Sequence, residues 1–217
     1  MGKKALLFDL NGTMINDMQY HILAWHRILN ELGADLSMEK VKEECYGKND
    51  ELLERVFPGR FTEAEKRAMS LEKEKQYQEQ FRPHLQLLPG LDHFLQQAHQ
   101  QQIPMAIGSA AITYNIDFVI DHFGIRHYFG AIVSADDVRI SKPDPETFLS
   151  CARLLQQDPA DCIVFEDAPK GVEAAKRAGM KAVVITTMHT AAEFESWDNV
   201  LFATNDFLHP LIQELLR

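Results

Sequence analysis

The feature that most constrains this chain is a set of short apolar runs that do not alternate with polar residues. They are Ala5–Leu10, Pro104–Gly108, Gly130–Ser134, Cys162–Phe165, Lys181–Ile185 and a weaker Val200–Phe202. A strand with one wet face alternates apolar and polar residues. A continuous run fits a strand covered on both faces, as in a parallel sheet. Helical patterns separate the later runs. "LDHFLQQAHQQ" follows Pro89-Gly90, "ITYNIDFVIDHFG" closes on Gly124, "DPETFLSCARLLQQ" opens just after Pro143, and "PKGVEAAKRAG" closes on Gly179. Proline near a helix start and glycine past its end are expected punctuation. The alternation predicts an α/β fold, a parallel sheet flanked by helices with right-handed crossovers.

Residues 16–85 break the rhythm and read as helices only. "MQYHILAWHRILNELG" places Met18, Ile22, Trp25, Leu29 and Leu32 on one face and stops at Gly33. "SMEKVKEEC" opens on Ser37 with Lys40 three residues on, half of a capping box. "NDELLERVF" and "TEAEKRAMSLEKEKQYQEQF" follow, the last so charged that a solvated helix is expected. The predicted organisation is an α/β core domain from 1–15 and 86–217 with a helical cap domain at 16–85.

Composition sets limits on partners. A chain of 217 residues allows one or two domains, and 46% hydrophobic residues supply a core. The 32 acidic and 22 basic residues leave a net charge of −10, which argues against nucleic acid or an anionic membrane as a general partner. Cys45, Cys151 and Cys162 are scattered, without zinc spacing, and are expected to be small buried hydrophobes rather than a disulfide framework. After Lys3-Lys4 the apolar stretch runs only to Phe8 before Asp9, too short for a signal peptide. A soluble, cytoplasmic monomer is expected.

In an open parallel sheet, ligands bind beyond the carboxyl ends of the strands. The polar residues just past those ends are Asp9, Asn11, Gly12 and Thr13 after the first run, Ser109 after the second, Lys142 in "SKPDPE", and Glu166 with Asp167 after the fourth. Carboxylates, a lysine and a hydroxyl at one edge suit phosphoryl transfer. A phosphate dianion approaches a carboxylate only when its charge is neutralised, and Mg²⁺ held by Asp9 and Asp167 would do that, with Lys142 adding a point charge. The Ser109 hydroxyl and backbone N–H groups near Leu10 and Gly12 would take the equatorial oxygens.

These stretches resemble the haloacid dehalogenase superfamily of phosphatases and phosphomutases, in the branch similar to β-phosphoglucomutase. "FDLNGT" stands for its DxDGT motif, "IGSA" for its Ser/Thr motif, "SKPDPE" for its lysine motif and "VFEDAPKGVEAAKRAGM" for its acidic motif and helix, while "YHILAWHRIL" resembles the start of its helical cap. The resemblance implies a Rossmannoid core with an inserted cap. It implies Asp9 as the nucleophile that forms an aspartyl-phosphate, and Ser109, Ala110 and Lys142 as phosphoryl binders, Lys142 also steadying Asp9. Mg²⁺ would be held by Asp9, the backbone carbonyl of Asn11 and Asp167, with Glu166 close by. The substrate implied is a small phosphorylated metabolite.

Asn11 departs from the pattern, because the family has a second Asp there as acid/base. An amide keeps the shape and the carbonyl but not the proton, and losing a general acid/base costs about 10²–10⁴-fold. Leaving groups that need no protonation, such as acyl or aryl phosphates, are then expected to be favoured. His21, on the cap helix near the hinge, is a candidate substitute proton carrier, the alternative being a packing residue beside Ile22, Trp25 and Leu29. Asn11-Gly12 is also prone to deamidation, which would restore the motif. In the cap, the resemblance to β-phosphoglucomutases implies an Arg where this chain has Asp50, with Lys48 nearby, and Lys73 or Lys75 for another cap lysine. A phosphatase-like hydrolase is therefore preferred. The alternatives are a sugar-phosphate mutase and a catalytically weak phosphate-binding regulatory module. A dehalogenase fits Gly12-Thr13 and Asp167 less well.

Overall fold

The computed structural model describes residues 4–217, so Lys3 of the Lys3-Lys4 pair lies outside the described residues. Six parallel strands form one sheet in the order β3-β2-β1-β4-β5-β6. They are β1 (Ala5–Phe8), β2 (Met105–Gly108), β3 (Ala131–Val133), β4 (Cys162–Glu166), β5 (Lys181–Ile185) and β6 (Val200–Thr204). All five neighbouring pairs are parallel. A strand forms at each expected run: the first three are trimmed by one or two residues at one or both ends, the fourth gains Glu166, the fifth matches, and the weak last run extends to a five-residue strand.

The sheet explains the unbroken apolar runs. On one face Ala5, Leu7, Val164 and Val184 pack with Phe148, Cys151, Val172 and Ala175. On the other, Phe8 stacks on Phe165 with ring centroids 4.7 Å apart, and Phe94 and Phe207 close around them. Consecutive side chains of a strand point to opposite faces, so both parities must be apolar when both faces are covered. The covering helices include α5 (Leu91–Gln100), α6 (Thr113–His122), α7 (Glu146–Leu154) and α8 (Pro169–Arg177), and α9 (Pro210–Glu214) ends the chain.

By its contacts the chain divides into two compact units. One takes the segments ending at Asn16 and beginning at Gln86, and the other is Asp17–Leu85. The second unit is wholly helical: α1 (Met18–Glu31), α2 (Met38–Glu44), α3 (Asn49–Val56) and α4 (Glu63–Phe81), with a short 3₁₀ turn at Arg82–His84. In α1 the stripe of Ile22, Trp25 and Leu29 is buried, joined by His21, Ala24 and Ile28, while Met18 and Leu32 are only half-buried. Ser37 caps α2 by accepting from the Lys40 N–H at 3.2 Å.

The helix α4 corrects the expectation of a solvated helix. One face is exposed, but Lys66, Ser70, Lys73, Glu74, Tyr77, Gln78 and Phe81 are buried. The charges are tolerated because they are paired. Lys66 meets Glu54 and Glu63, and Lys73 donates to Glu74 at 3.0 Å. Composition alone cannot show this, since a charged residue is buried at tolerable cost once its partner comes with it. Among the described residues, no helix is long and apolar enough to cross a membrane.

Candidate active site

The parallel register carries the site. Phe8 pairs with Phe165, and the ladder continues as the Asp9 N–H donates to the Phe165 carbonyl at 3.0 Å. Asp9 therefore stands beside Glu166, and Asp167 follows. Lys142 comes from the segment after β3, through a cis Lys142–Pro143 peptide. Its ammonium donates to Asp9 Oδ1 at 2.6 Å and to Glu166 Oε1 at 2.8 Å. It also lies 4.6 Å from the centre of the Phe148 ring. Asp9, Lys142, Glu166 and Asp167 are all buried.

Burial pushes the Asp9 carboxyl up to about 7, with the charge of Glu166 adding to the rise and Lys142 opposing it. Burial alone would push Lys142 down, but the two carboxylates outweigh it and hold the ammonium well above its ordinary value. The result is a lysine locked in its charged form between two acids. A third acid stands next to it, an excess of negative charge in a dry setting.

Each acid has its own support. The second oxygen of Glu166 accepts from the Ala168 N–H at 2.8 Å. Its carboxylate lies over Gly171 in α8, where any Cβ would overlap it. Asp167 Oδ1 accepts from the Thr13 hydroxyl at 3.4 Å, and its carboxylate fills the space a Cβ on Gly12 would need. Gly12 has φ +78°, a left-handed conformation that only glycine adopts without strain. After β5, the Thr187 hydroxyl donates to the Gly12 carbonyl at 2.6 Å.

Ser109 follows β2 and is buried. Its N–H donates to the Val133 carbonyl at 2.9 Å, and its hydroxyl accepts from the Ala111 N–H at 3.2 Å. Ala110, beside it, is half-buried, as is Asn11, which bridges to Ile15. Leu10 is buried and its carbonyl accepts from the Met14 N–H at 2.8 Å. His21 belongs to the helical unit. There its Nε2 lies 3.1 Å from Asp17 Oδ2 and its Nδ1 2.5 Å from Lys73 Nζ, and its ring stacks on Tyr77. Lys75 is exposed, Lys48 and Asp50 are half-buried, and Lys73 is buried.

Direct contacts thus unite Asp9, Lys142 and Glu166. Sequence reasoning missed Thr187, Gly171 and the link from Thr13 to Asp167. A threonine just past a strand was a readable signal for Thr187. Nothing local marks Gly171, a helix glycine whose purpose is a carboxylate five residues earlier.

Ligand atoms of Asp9, Glu166 and Asp167 lie within 4.8 Å of one another. Three hard carboxylate oxygens form a donor set for a hard divalent cation, and the neighbouring lysine offsets only part of their charge. The residues present fit Mg²⁺.

The haloacid dehalogenase-like hydrolase family matches residues 6–185. A fructose-1-phosphate phosphatase of Escherichia coli is 31% identical over 179 residues, covering 82% of this chain and 94% of that protein. A β-phosphoglucomutase of Bacillus subtilis is 35% identical over 189 residues, covering 83% of this chain and 82% of its own. A crystal structure of β-phosphoglucomutase from Clostridium difficile superposes with a TM-score of 0.84 at 28% identity, covering 99% and 97% of the two chains. The chain belongs to the haloacid dehalogenase-like hydrolase family, in its β-phosphoglucomutase-like branch, and is an enzyme.

Proposed function

We propose that the protein is a phosphatase that releases phosphate from a small phosphorylated metabolite of the sugar or polyol class, through an aspartyl-phosphate on Asp9. The observation that carries this reading is the buried Asp9–Lys142–Glu166 cluster at the carboxyl end of the sheet. The phosphatase and mutase relatives support the substrate class. Lys142 pins Asp9 Oδ1 at 2.6 Å. A carboxylate oxygen of Asp9 forms a bond to phosphorus as the bond from phosphorus to the metabolite's oxygen breaks. The leaving oxygen takes a proton. Water then attacks the same phosphorus, phosphate departs, and the Asp9 carboxylate is restored.

Ser109, with the backbone of Ala110, Leu10 and Gly12, would hold the phosphoryl oxygens. Asp9, Asp167 and the Asn11 carbonyl would hold Mg²⁺, which when bound would neutralise the phosphate oxygens that face these acids. Glu166, whose oxygens accept from Lys142 and Ala168, holds the lysine. Asn11 cannot carry the proton. The leaving oxygen takes its proton from solvent water, and the attacking water returns one to solvent.

The test is intact-protein mass spectrometry after mixing with Mg²⁺ and acetyl phosphate. A mass gain of one phosphoryl group, lost in Asp9→Asn, supports the reading; an equal gain in Asp9→Asn sinks it. A second reading, a sugar-phosphate mutase, is favoured by the 35% identity to the Bacillus subtilis enzyme. Phosphorus NMR separates the two, since a phosphatase accumulates inorganic phosphate and a mutase a new phosphomonoester.

A further inference from the structure

The segment after β5 is not among the residues that the proposed reaction uses, yet it reaches into the site. Thr187 stands two residues past the end of β5 and donates its hydroxyl hydrogen to the Gly12 carbonyl at 2.6 Å. Its own backbone is anchored, because the Thr187 N–H donates to the Ile185 carbonyl at 3.0 Å and the Thr186 N–H to the Thr204 carbonyl at 2.8 Å. The donor is thus fixed to the sheet, and the acceptor belongs to the loop that carries Asp9 and Asn11.

The acceptor belongs to the Gly12–Thr13 peptide, whose other end is held where the Thr13 N–H donates to the Leu10 carbonyl at 3.3 Å. Gly12 has no side chain of its own and sits at φ +78°, from which a glycine peptide rotates more freely than any other. Its Cα surface is the seat of the Asp167 carboxylate, and the next residue, Thr13, donates to that same carboxylate. Rotation of the Gly12–Thr13 peptide would move the Gly12 carbonyl, the Thr13 hydroxyl and the seat together.

We propose that Thr187 is a positioning residue: by holding the Gly12 carbonyl it keeps the loop after β1 in the conformation that seats Asp167 beside Asp9. It touches neither substrate nor phosphoryl group, and it works through Gly12. The inference rests on the reading of Asp9 and Asp167 as the reacting, metal-holding edge. It adds a fifth strand end, that of β5, to the four that carry the site residues. Outer partners of this kind, when removed, weaken metal affinity or activity by about 10–100-fold.

The experiment compares Thr187→Val, which keeps the shape and loses the donor, with Thr187→Ser, which keeps the donor. Mn²⁺ binding is followed by electron paramagnetic resonance without substrate, beside kcat, KM and the melting temperature. The expected result is a Mn²⁺ dissociation constant raised at least about tenfold in Thr187→Val. The fall in kcat should exceed any change in KM, and Thr187→Ser should return both near the parent. Mn²⁺ affinity and kcat within twofold of the parent in Thr187→Val would overturn the proposal, as would a lowered melting temperature alone. So would failure of Thr187→Ser to rescue. Asp9→Asn, run alongside, separates the premises. If it retains full activity, the reading of the site has failed. If it is inactive while Thr187→Val is unaffected, only the role of Thr187 has failed.

Discussion

Gly171 lies directly beneath the carboxylate of Glu166, so close that a methyl group in its place would occupy the same space. By propensity, alanine is favoured over glycine inside a helix by about 1 kcal/mol. Here the helix gives up that gain so that Glu166 can fold back over it and meet Lys142. Gly171→Ala should therefore destabilise the protein by about 1–3 kcal/mol, the usual cost of overpacking. It should also lower kcat. Urea unfolding and steady-state rates check both, and a more stable, fully active variant would contradict the placement of Glu166.

Among the described residues, Lys142 is the only base bonded to both Asp9 and Glu166, and all three are buried. Removing one member of a buried ion cluster costs about 3–5 kcal/mol because the rest is left uncompensated. Lys142→Met should lose stability on that scale in a chelator and recover part of it on adding Mg²⁺. Melting temperatures with and without Mg²⁺ measure this. An equal response to Mg²⁺ in variant and parent would argue against the metal meeting these acids.

In the helical unit, Asp17 Oδ2 accepts from the Tyr77 hydroxyl at 2.5 Å and lies 3.1 Å from His21. Tyr77→Phe removes one donor from a buried carboxylate, at about 1–3 kcal/mol. Chemical denaturation should show that loss. A variant as stable as the parent would mean that the hydroxyl contributes nothing net.

The thiols provide a pH test. Burial pushes Cys151 up to about 12, and burial with Asp161 and Asp158 nearby pushes Cys162 up to about 11. Both sulfurs donate to backbone carbonyls, those of Ile107 and Asp158, at 3.4 Å. Because the thiolate is the reactive form, native Cys151 and Cys162 should resist a thiol reagent at pH 9, while unfolded protein reacts at every cysteine. Peptide mapping after brief labelling shows which thiols reacted. Prompt labelling of native Cys151 would contradict its burial.

The sheet was legible because a two-faced strand has a local signature, visible in runs such as Ala5–Phe8 and Lys181–Ile185. Asp9, Lys142, Glu166 and Asp167 were legible because strand ends predict where ligands bind. What escaped is what depends on pairing across long stretches of chain. Lys73 stood only as one of two candidates, with Lys75, for a cap lysine, and its burial showed only once Glu74 and His21 stood beside it. Thr187 stood just past a strand end, a readable place, but its task shows only beside Gly12, and Gly171 had no visible purpose without Glu166. Hydrogen bonds of this kind leave no period in the sequence, because each needs only one residue at one place.

The position of β1 has a consequence for synthesis. Of the six strands, the first to be made is an inner strand of the sheet: Leu6 awaits Met105 on one side, and Ala5 awaits Cys162 on the other. Closing such distant contacts is slow relative to local helix formation. The helical unit, complete by Leu85, is therefore free to form while the apolar Ala5–Phe8 segment is still without its neighbours. During that interval the nascent chain carries an apolar strand uncovered, and the residue that follows it, Asp9, is a charge that interrupts the exposed run.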